Sequence, residues 1–212
     1  MNPDLVDEIE YMIDLLTKSG FFSQKEILEI LEDQFIEYEI DFSAFYICPN
    51  DFNNKNFSIL EKTFKKLSEK SIICVHNCGY DFEEGVDDIY ELYVHLINNK
   101  YSAQGFCFYT FEDVEQAIEK NILKLTFGDF QRDENKSLEI GNIVYQCLID
   151  ANFQVNWDNT VNSPIEIINF NWDKKYDEDT EYEIEGAYDL FTGVMNEKWF
   201  FKINWRCYWQ FC

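Results

Sequence analysis

The most informative part of the sequence for the fold is residues 72–110, IICVHNCGYDFEEGVDDIYELYVHLINNKYSAQGFCFYT. It opens with an apolar run at 72–75, typical of a buried strand, and closes with a second such run at 105–109. Between them a polar turn at 76–81 leads into an acidic segment whose apolar side chains recur at helical spacing over 87–98. This order predicts a βαβ-like unit, in which the turn after the first strand is a place where a site can be built.

Elements of both kinds flank this unit. Apolar stripes predict a helix over 4–18 that stops near Gly20, and Ser23 with Glu26 forms the S-x-x-E capping box that opens a second helix. We therefore predict an α+β or α/β fold, with N-terminal helices followed by a mixed sheet flanked by helices and a C-terminal aromatic strand. The other elements expected are helices at 57–70, 114–119 and 138–151, and strands at 122–127, 153–157 and within 164–172.

The chain divides into four predicted segments. They are an N-terminal helical pair (1–45), an α/β core domain (57–172), an acidic linker or solvated loop (173–185), and an aromatic C-terminal stretch (186–212). The last 19 residues hold seven aromatic side chains, and residues around Phe201 alternate in polarity, which predicts a strand packed on the core. The alternative is an exposed aromatic strip, which would mark an interface.

The composition is that of an acidic globular protein. Apolar residues make up 46% of the chain, and 41 acidic residues outnumber 17 Lys and Arg, for a formal net charge of −24. Nucleic acid and anionic membrane surfaces are unfavourable partners, because both are recognised through clusters of Lys and Arg. A basic protein partner fits the charge, since complementary charge speeds encounter. The alternative is that acidity only keeps an aromatic-rich domain in solution.

No export or membrane signal is expected. The first residues, MNPD, include no basic region, and no apolar stretch approaches the length of a membrane span. Seven cysteines, an odd number, are scattered singly along the chain. Reduced thiols in the cytosol are the simplest interpretation, so we predict a cytoplasmic protein.

A dense cluster of carboxylates follows the polar turn. It has no basic neighbour in the sequence, and its spacing does not match a calcium loop, because Gly85 stands at position five and Leu92 at position twelve when counted from Asp81. The cluster is either the solvent-facing start of a helix, where carboxylates suit the helix dipole, or a docking surface for a basic partner. The candidate partner-binding residues are Asp81, Glu83, Glu84, Asp87, Asp88 and Glu91.

Cysteine and histidine also concentrate near the turn. Cys74, His76 and Cys78 alternate, so on a strand they would share one face, and with Cys107 or His95 they would give four zinc ligands. The usual C-x₂-C spacing is absent, and a buried cysteine is also ordinary core filling.

Cys78 with His76 or His95 and an aspartate is a second possibility, a nucleophilic thiol. Surrounding acids raise a thiol pKa and oppose this use. No nucleotide-binding or common hydrolase motif is present, and no cofactor is predicted.

Several short motifs follow one another in the sequence. They are HNCGY at 76–80, GFCFY at 105–109, LTFG at 125–128, IG at 140–141, VNWD at 155–158 and Trp172. In this order they resemble an uncharacterised bacterial family described as a domain of unknown function, over about residues 64–172. The resemblance implies a bacterial, cytosolic α/β domain and brings no activity. Thr110 and Phe111 stand where the family often has histidine and glutamine, which removes one candidate polar group.

Charge and the missing motifs together favour a non-enzymatic acidic binding protein. More specifically, we predict an immunity protein that neutralises a basic toxin domain, with aromatic side chains as interface anchors. The alternative is a small metal-binding or cysteine/histidine-dependent enzyme with a site around His76, Cys78 and Asp81.

Overall fold

The computed structural model describes residues 3–38, 40–42, 45–48 and 50–208, with side chains through Lys198. Seven α-helices and five strands occur within these ranges. In chain order they are α1 (Pro3–Ser19), α2 (Gln24–Gln34), a short 3₁₀ helix (Ile36–Tyr38), α3 (Lys55–Glu69), β1 (Ile72–Val75), α4 (Phe82–Asn98), β2 (Gly105–Phe108), α5 (Phe111–Lys120), β3 (Ile122–Gly128), α6 (Glu134–Asp150), β4 (Gln154–Asn156), β5 (Ile165–Ile168) and α7 (Ile184–Tyr208).

The strands form one mixed sheet in the order β1-β2-β3-β5-β4. β1 and β2 are parallel neighbours joined through α4, so the predicted βαβ unit is confirmed. The remaining pairs, β2–β3, β3–β5 and β4–β5, are antiparallel. The predicted α+β fold with a mixed sheet flanked by helices is therefore the observed one.

Helices cover both faces of the sheet, and the alternation of side chains along β1 explains how. Ile72 and Cys74 point into a core with α3, α5 and α6, whereas Ile73 and Val75 point into a second core with α4 and α7. β1 is buried on both faces because it lies between these two helical layers, which is why its sequence reads as a continuous apolar run.

The N-terminal helices form a third, smaller core that packs on the start of α5 through Phe111. α1 ends at Ser19, and the next residue, Gly20, has the left-handed φ of +71° expected just after a helix end. The predicted capping box is present, because the Ser23 side chain accepts from Glu26 N–H and the Glu26 carboxylate accepts from Ser23 N–H. The capping residues thus fix where the helical pair turns.

The predicted C-terminal strand is wrong, because residues 184–208 form α7. The alternation in polarity near Phe201 suggested a strand, but apolar residues at helical spacing begin earlier in the chain and their side chains pack against α4 and β1. These apolar residues are Ile184, Ala187, Tyr188, Phe191 and Met195.

No helix in the described ranges is long and apolar enough to cross a membrane.

The predicted acidic linker at 173–185 differs from the structure at its start. Asp173 and Lys174 are buried, at 4% and 1% exposure, while the acids from Asp177 to Glu181 are exposed. The reason is that Phe170, Trp172 and Lys174 continue an inward alternation from β5 towards the α1–α2 turn. The core domain therefore extends past Trp172.

Candidate functional site

The turn after β1 is held rigidly against the start of α5. Asn77 and Gly79 both have left-handed backbones, with φ of +52° and +67°, and Asn is the non-glycine residue that tolerates this best. Cys78 N–H donates to the Tyr109 carbonyl at 2.8 Å, and Phe111 N–H donates to the Gly79 carbonyl at 3.1 Å. The turn thus presents its side chains from a fixed backbone.

The left-handed residue also breaks the alternation that the sequence suggested. Cys74 and His76 share a face and line one small cavity beside α3, as alternation predicts. After Asn77 the side chains no longer alternate in the same register, so Cys78 packs in the core formed with α4 and α7, on the other side of the sheet. Its Sγ donates to the Gly85 carbonyl at 3.4 Å. The three candidate zinc ligands do not meet on one face.

His76 lies in an aromatic environment. Its ring stacks on Phe64 at 4.4 Å between centroids, and its Nδ1 is 2.8 Å from the Tyr109 hydroxyl. Burial, aided by the positive charge of Lys174, lowers the pKa of His76 to about 3. An imidazole with this pKa is a weak base near neutral pH, so its hydrogen bond to Tyr109 is a structural contact.

The environment of Cys78 also disfavours catalysis. Burial, with the charges of Asp88 and Glu183, raises the pKa of the Cys78 thiol, which keeps it protonated and poorly nucleophilic. The thiol and the His76 ring belong to different cores. Across the residues whose positions are described, no group of three or more His, Cys, Asp and Glu side chains is arranged to hold a metal ion.

The six candidate carboxylates divide into three groups. Asp81 caps α4 by accepting from the backbone N–H groups of Glu83 and Glu84, and Glu84 itself accepts from Tyr80 N–H at 2.9 Å. These two carboxylates are therefore used by the fold. Glu83, Asp87 and Glu91 are exposed on α4. Asp88 is half-buried and faces a cleft at the end of the turn.

This cleft, which we call the acidic cleft, lies beside the turn and has a volume of about 520 Å³. α1 and α2 form one wall, the turn and α5 form the other, and the start of α7 lies at one end. A volume of this size is in the range of ligand-binding clefts. The lining residues are Tyr11, Met12, Leu15, Leu16, Phe22, Ile30, Gln34, Asn77, Gly79, Tyr80, Asp88, Phe111, Glu115, Glu183, Ile184 and Glu185.

Burial and neighbouring carboxylates raise the proton affinity of two acids in the cleft, Asp88 and Glu183. The pKa of Asp88 is raised by burial first, and then by the charges of Glu84, Glu91 and Asp87. Burial also raises the pKa of Glu183, with the nearby charges of Glu181, Glu185 and Asp88 adding to it. None of the described lining residues is Lys, Arg or His, so the cleft has negative charge without a cation.

Asn77 gives the cleft a side-chain amide whose oxygen has no hydrogen-bond donor. The side chain is 6% exposed, its Nδ2 donates to Glu183 Oε1 at 3.4 Å, and its Oδ1 has no hydrogen-bond partner. The contact with Glu183 fixes the orientation of the amide, because the flipped amide would place an oxygen against a carboxylate. Asn77 and Glu183 were not among the sequence candidates, and only the Asn-x-Gly spacing of the turn pointed towards Asn77.

Sequence reasoning also missed Lys174. Its Nζ donates to the Gly20 carbonyl at 2.6 Å and lies over the rings of Tyr182, Phe21 and Phe57 at 4.0, 4.6 and 5.2 Å. Burial lowers the pKa of the ammonium to about 8. This cage fastens the N-terminal helices to the core and holds one wall of the cleft. The inward alternation of Phe170 and Trp172 was the signal that could have found it.

Comparisons with known proteins agree with this description at the level of family. No curated protein and no solved structure matches the chain. A family model described as a domain of unknown function (DUF6891) matches residues 53–176, which includes β1 through β5 and the buried Trp172–Lys174 segment. The resemblance inferred over 64–172 is therefore confirmed and extends further in both directions. Because the match covers more than half of the sequence, the chain belongs to the DUF6891 family.

Proposed function

We propose that this chain is a cytoplasmic, non-enzymatic binding protein for a basic protein partner, and specifically an immunity protein that masks a basic toxin domain. The observation that carries the proposal is the excess of carboxylates without cation partners. The formal net charge is −24, and the two salt bridges in the described part of the chain, Lys18–Asp14 and Lys25–Glu29, are both local pairs on single helices.

The arrangement of the acids supports a defined docking surface. Glu83, Asp87 and Glu91 are exposed on α4, the helix whose Asp88 lines the acidic cleft together with Glu183. Exposed carboxylates steer a basic partner into encounter, while the half-buried Asp88 beside apolar surface gives a desolvated contact that helps to hold it. The surface therefore combines both requirements of tight electrostatic recognition.

The chemistry of the cysteine and histidine residues does not favour the enzymatic alternative. His76 has a pKa far below neutral, and the Cys78 thiol has a raised pKa and lies in the opposite core. A nucleophilic pair needs the two side chains in hydrogen-bond contact, with the thiol pKa lowered. We therefore propose binding without catalysis.

Growth rescue tests the proposal once a partner has been captured. The gene for the partner is expressed alone in a heterologous host, and then together with this chain. We expect arrested growth in the first case and restored growth in the second. The charge-reversed variant Asp88→Lys should lose rescue, whereas Asp150→Lys, at an exposed acid at the end of α6, should retain it.

Two results would contradict the proposal. If the partner does not impair growth, the immunity role is wrong even when binding is real. If Asp88→Lys folds normally and rescues as well as the parent chain, this surface does not bind the toxin. Circular dichroism of each variant establishes that it is folded before rescue is scored.

A further inference from the structure

We infer that the acidic cleft receives one arginine or lysine side chain from the basic partner, with the charged group at Asp88, Glu183 and Asn77 and the aliphatic stem along the apolar wall. This inference rests on the proposed function and specifies how recognition takes place. It assigns the cleft as the central contact, in place of the outer face of α4 that the sequence indicated.

The shape and lining of the cleft fit a long side chain with a charged tip. Leu15, Leu16 and Ile30 from the N-terminal helices line the cleft together with Phe111 of α5, so much of its lining is apolar. Lys and Arg bury their methylene stems against such surface while the charged group reaches polar partners. A neutral apolar side chain would fill the same space but leave the acids at the end without a cation.

Charge at the end of the cleft selects a cation. Asp88 and Glu183 approach from α4 and from the segment before α7, and Glu115 and Glu185 add two more carboxylates. Glu115 accepts a hydrogen bond from the Tyr11 hydroxyl at 2.6 Å, which ties α1 to α5 across the cleft. No described lining residue balances these charges. An incoming guanidinium or ammonium group supplies the opposite charge that the fold lacks.

Asn77 is the independent observation that points to a ligand. Acids alone can be a solvated surface, but a buried amide oxygen without a donor is unfavourable unless something binds it. The Asn77 side chain lines the cleft, is more than nine-tenths buried, and has an Oδ1 with no partner. An incoming guanidinium or ammonium group donates hydrogen bonds and accepts none, so it is the kind of group that can satisfy this amide oxygen.

The cleft lies where the family domain meets the two segments that flank it. Asn77, Gly79, Asp88 and Phe111 lie within residues 53–176, which match the family, whereas the α1–α2 wall and Glu183 lie outside that range. The flanking segments thus complete a site that the family domain alone would leave open on one side. Recognition of the partner should therefore require the whole chain.

Small probes test the cleft without the partner. The full chain is titrated with hexylguanidinium, which mimics an arginine side chain, and with hexanol and hexanoate as neutral and anionic controls. Binding is followed in ¹H–¹⁵N NMR spectra through the Asn77 side-chain amide and the Gly79 backbone amide. We expect saturable shifts of both signals with hexylguanidinium, and at least about tenfold weaker effects with the other two probes.

A matched pair of variants locates the site. Asp88→Asn and Asp87→Asn remove the same charge from adjacent positions of α4, but only Asp88 lines the cleft. We expect Asp88→Asn to weaken hexylguanidinium binding by about fivefold to tenfold and Asp87→Asn by less than about twofold. Equal effects of the two variants would mean that the probe senses only the general negative field, and would overturn the inference.

The outcome also separates this inference from the proposed function. If hexylguanidinium does not shift Asn77 and Gly79, or if hexanol binds equally well, the cleft is not a cation site and the inference is wrong. The chain could still capture a basic partner through the exposed acids of α4, so the proposed function would stand. If the probe binds in the cleft but no basic partner exists, the proposed function fails while the site remains.

Discussion

At the scale of single residues, the carboxylate of Asp88 connects the proposed binding role to stability. Burial and three nearby acids raise its pKa, so the ionised form of Asp88 is less stable in the folded chain than in the unfolded chain. Asp88 therefore opposes folding near neutral pH. A residue that opposes folding beside a cleft is expected where binding, and not stability, sets the requirement.

Neutralising Asp88 should make the chain slightly more stable. Because the folded-state pKa is raised, the penalty is present at neutral pH and is relieved as pH falls towards and below that pKa. We expect Asp88→Asn to raise the melting temperature at pH 7, by a free-energy gain of less than about 1 kcal/mol, and to give a smaller gain at pH 4. Differential scanning calorimetry at the two pH values measures this, with Asp87→Asn as the control. A lower melting temperature at pH 7 would contradict the account.

Lys174 gives a pH dependence of the opposite kind. Its pKa is lowered from 10.5 to about 8 by burial, so between these values the unfolded chain binds more protons and stability rises with pH. The contribution of Lys174 should therefore increase by about 2 kcal/mol between pH 7.5 and 9.5. Urea unfolding of the parent chain and of Lys174→Met at both pH values measures this contribution, as the difference in free energy of unfolding between the two proteins. A difference between the two proteins that does not change with pH would show that Lys174 is not desolvated.

At the scale of elements, the segment Trp172–Lys174 joins three parts of the fold. Trp172 Nε1–H donates to the Ser19 carbonyl at 3.0 Å, and Lys174 donates to that of Gly20, so both hold the end of α1. Between them Asp173 accepts from Asn56 N–H and Phe57 N–H, each at 2.9 Å. Asp173 thus caps α3 from a distant part of the chain, while the adjacent Asn54 makes no side-chain capping bond.

Removal of the distant cap should destabilise the whole fold. A buried carboxylate with two backbone N–H donors at a helix N-terminus combines capping with a favourable dipole interaction. We expect Asp173→Ala to lower the free energy of unfolding by about 2–3 kcal/mol, measured by urea denaturation. Asp179→Ala, at an exposed acid of the same segment, should change it by less than about 0.5 kcal/mol. Similar losses in both variants would exclude a specific cap.

How far the sequence predicts these elements depends on whether their signals are local. The Ser23 capping box follows from residues a few positions apart and the βαβ unit from one continuous stretch, and the structure contains both of them. Local polarity alternation near Phe201 suggested a strand, whereas α7 depends on packing against α4 and β1 from distant parts of the chain. Distant contacts of this kind are not visible in a single sequence.

In the candidate site too, local features were predictable from the sequence and features that depend on distant contacts were not. The acidic cluster on α4 was predictable because it is continuous in sequence. The cleft was not, because its walls come from α1, α2, the turn and the start of α7, which only the tertiary fold brings together. The side of the sheet on which Cys78 packs was also not predictable from the sequence, because the left-handed backbone of Asn77 interrupts the alternation. Of the six predicted acids, Asp88 is the one that the fold places in the cleft.

At the scale of the whole molecule, the unbalanced charge is the feature that most needs an explanation. Mutual repulsion among acids destabilises a compact state, and few ion pairs within the described ranges offset it. A basic partner that docks on the α4 surface and the cleft would neutralise part of this charge. Electrostatic recognition of this kind weakens as salt screens it.

Salt-dependent capture from the native host is the measurement that tests this claim most directly. The tagged full chain is incubated with host lysate at low and at high salt, and bound proteins are identified and quantified by mass spectrometry. We expect a stoichiometric partner of basic composition that binds at low salt and is lost or weakened at high salt. Asp88→Lys should capture less of it. A bait that captures no basic protein, or one whose partner is insensitive to salt and to Asp88→Lys, would contradict the account.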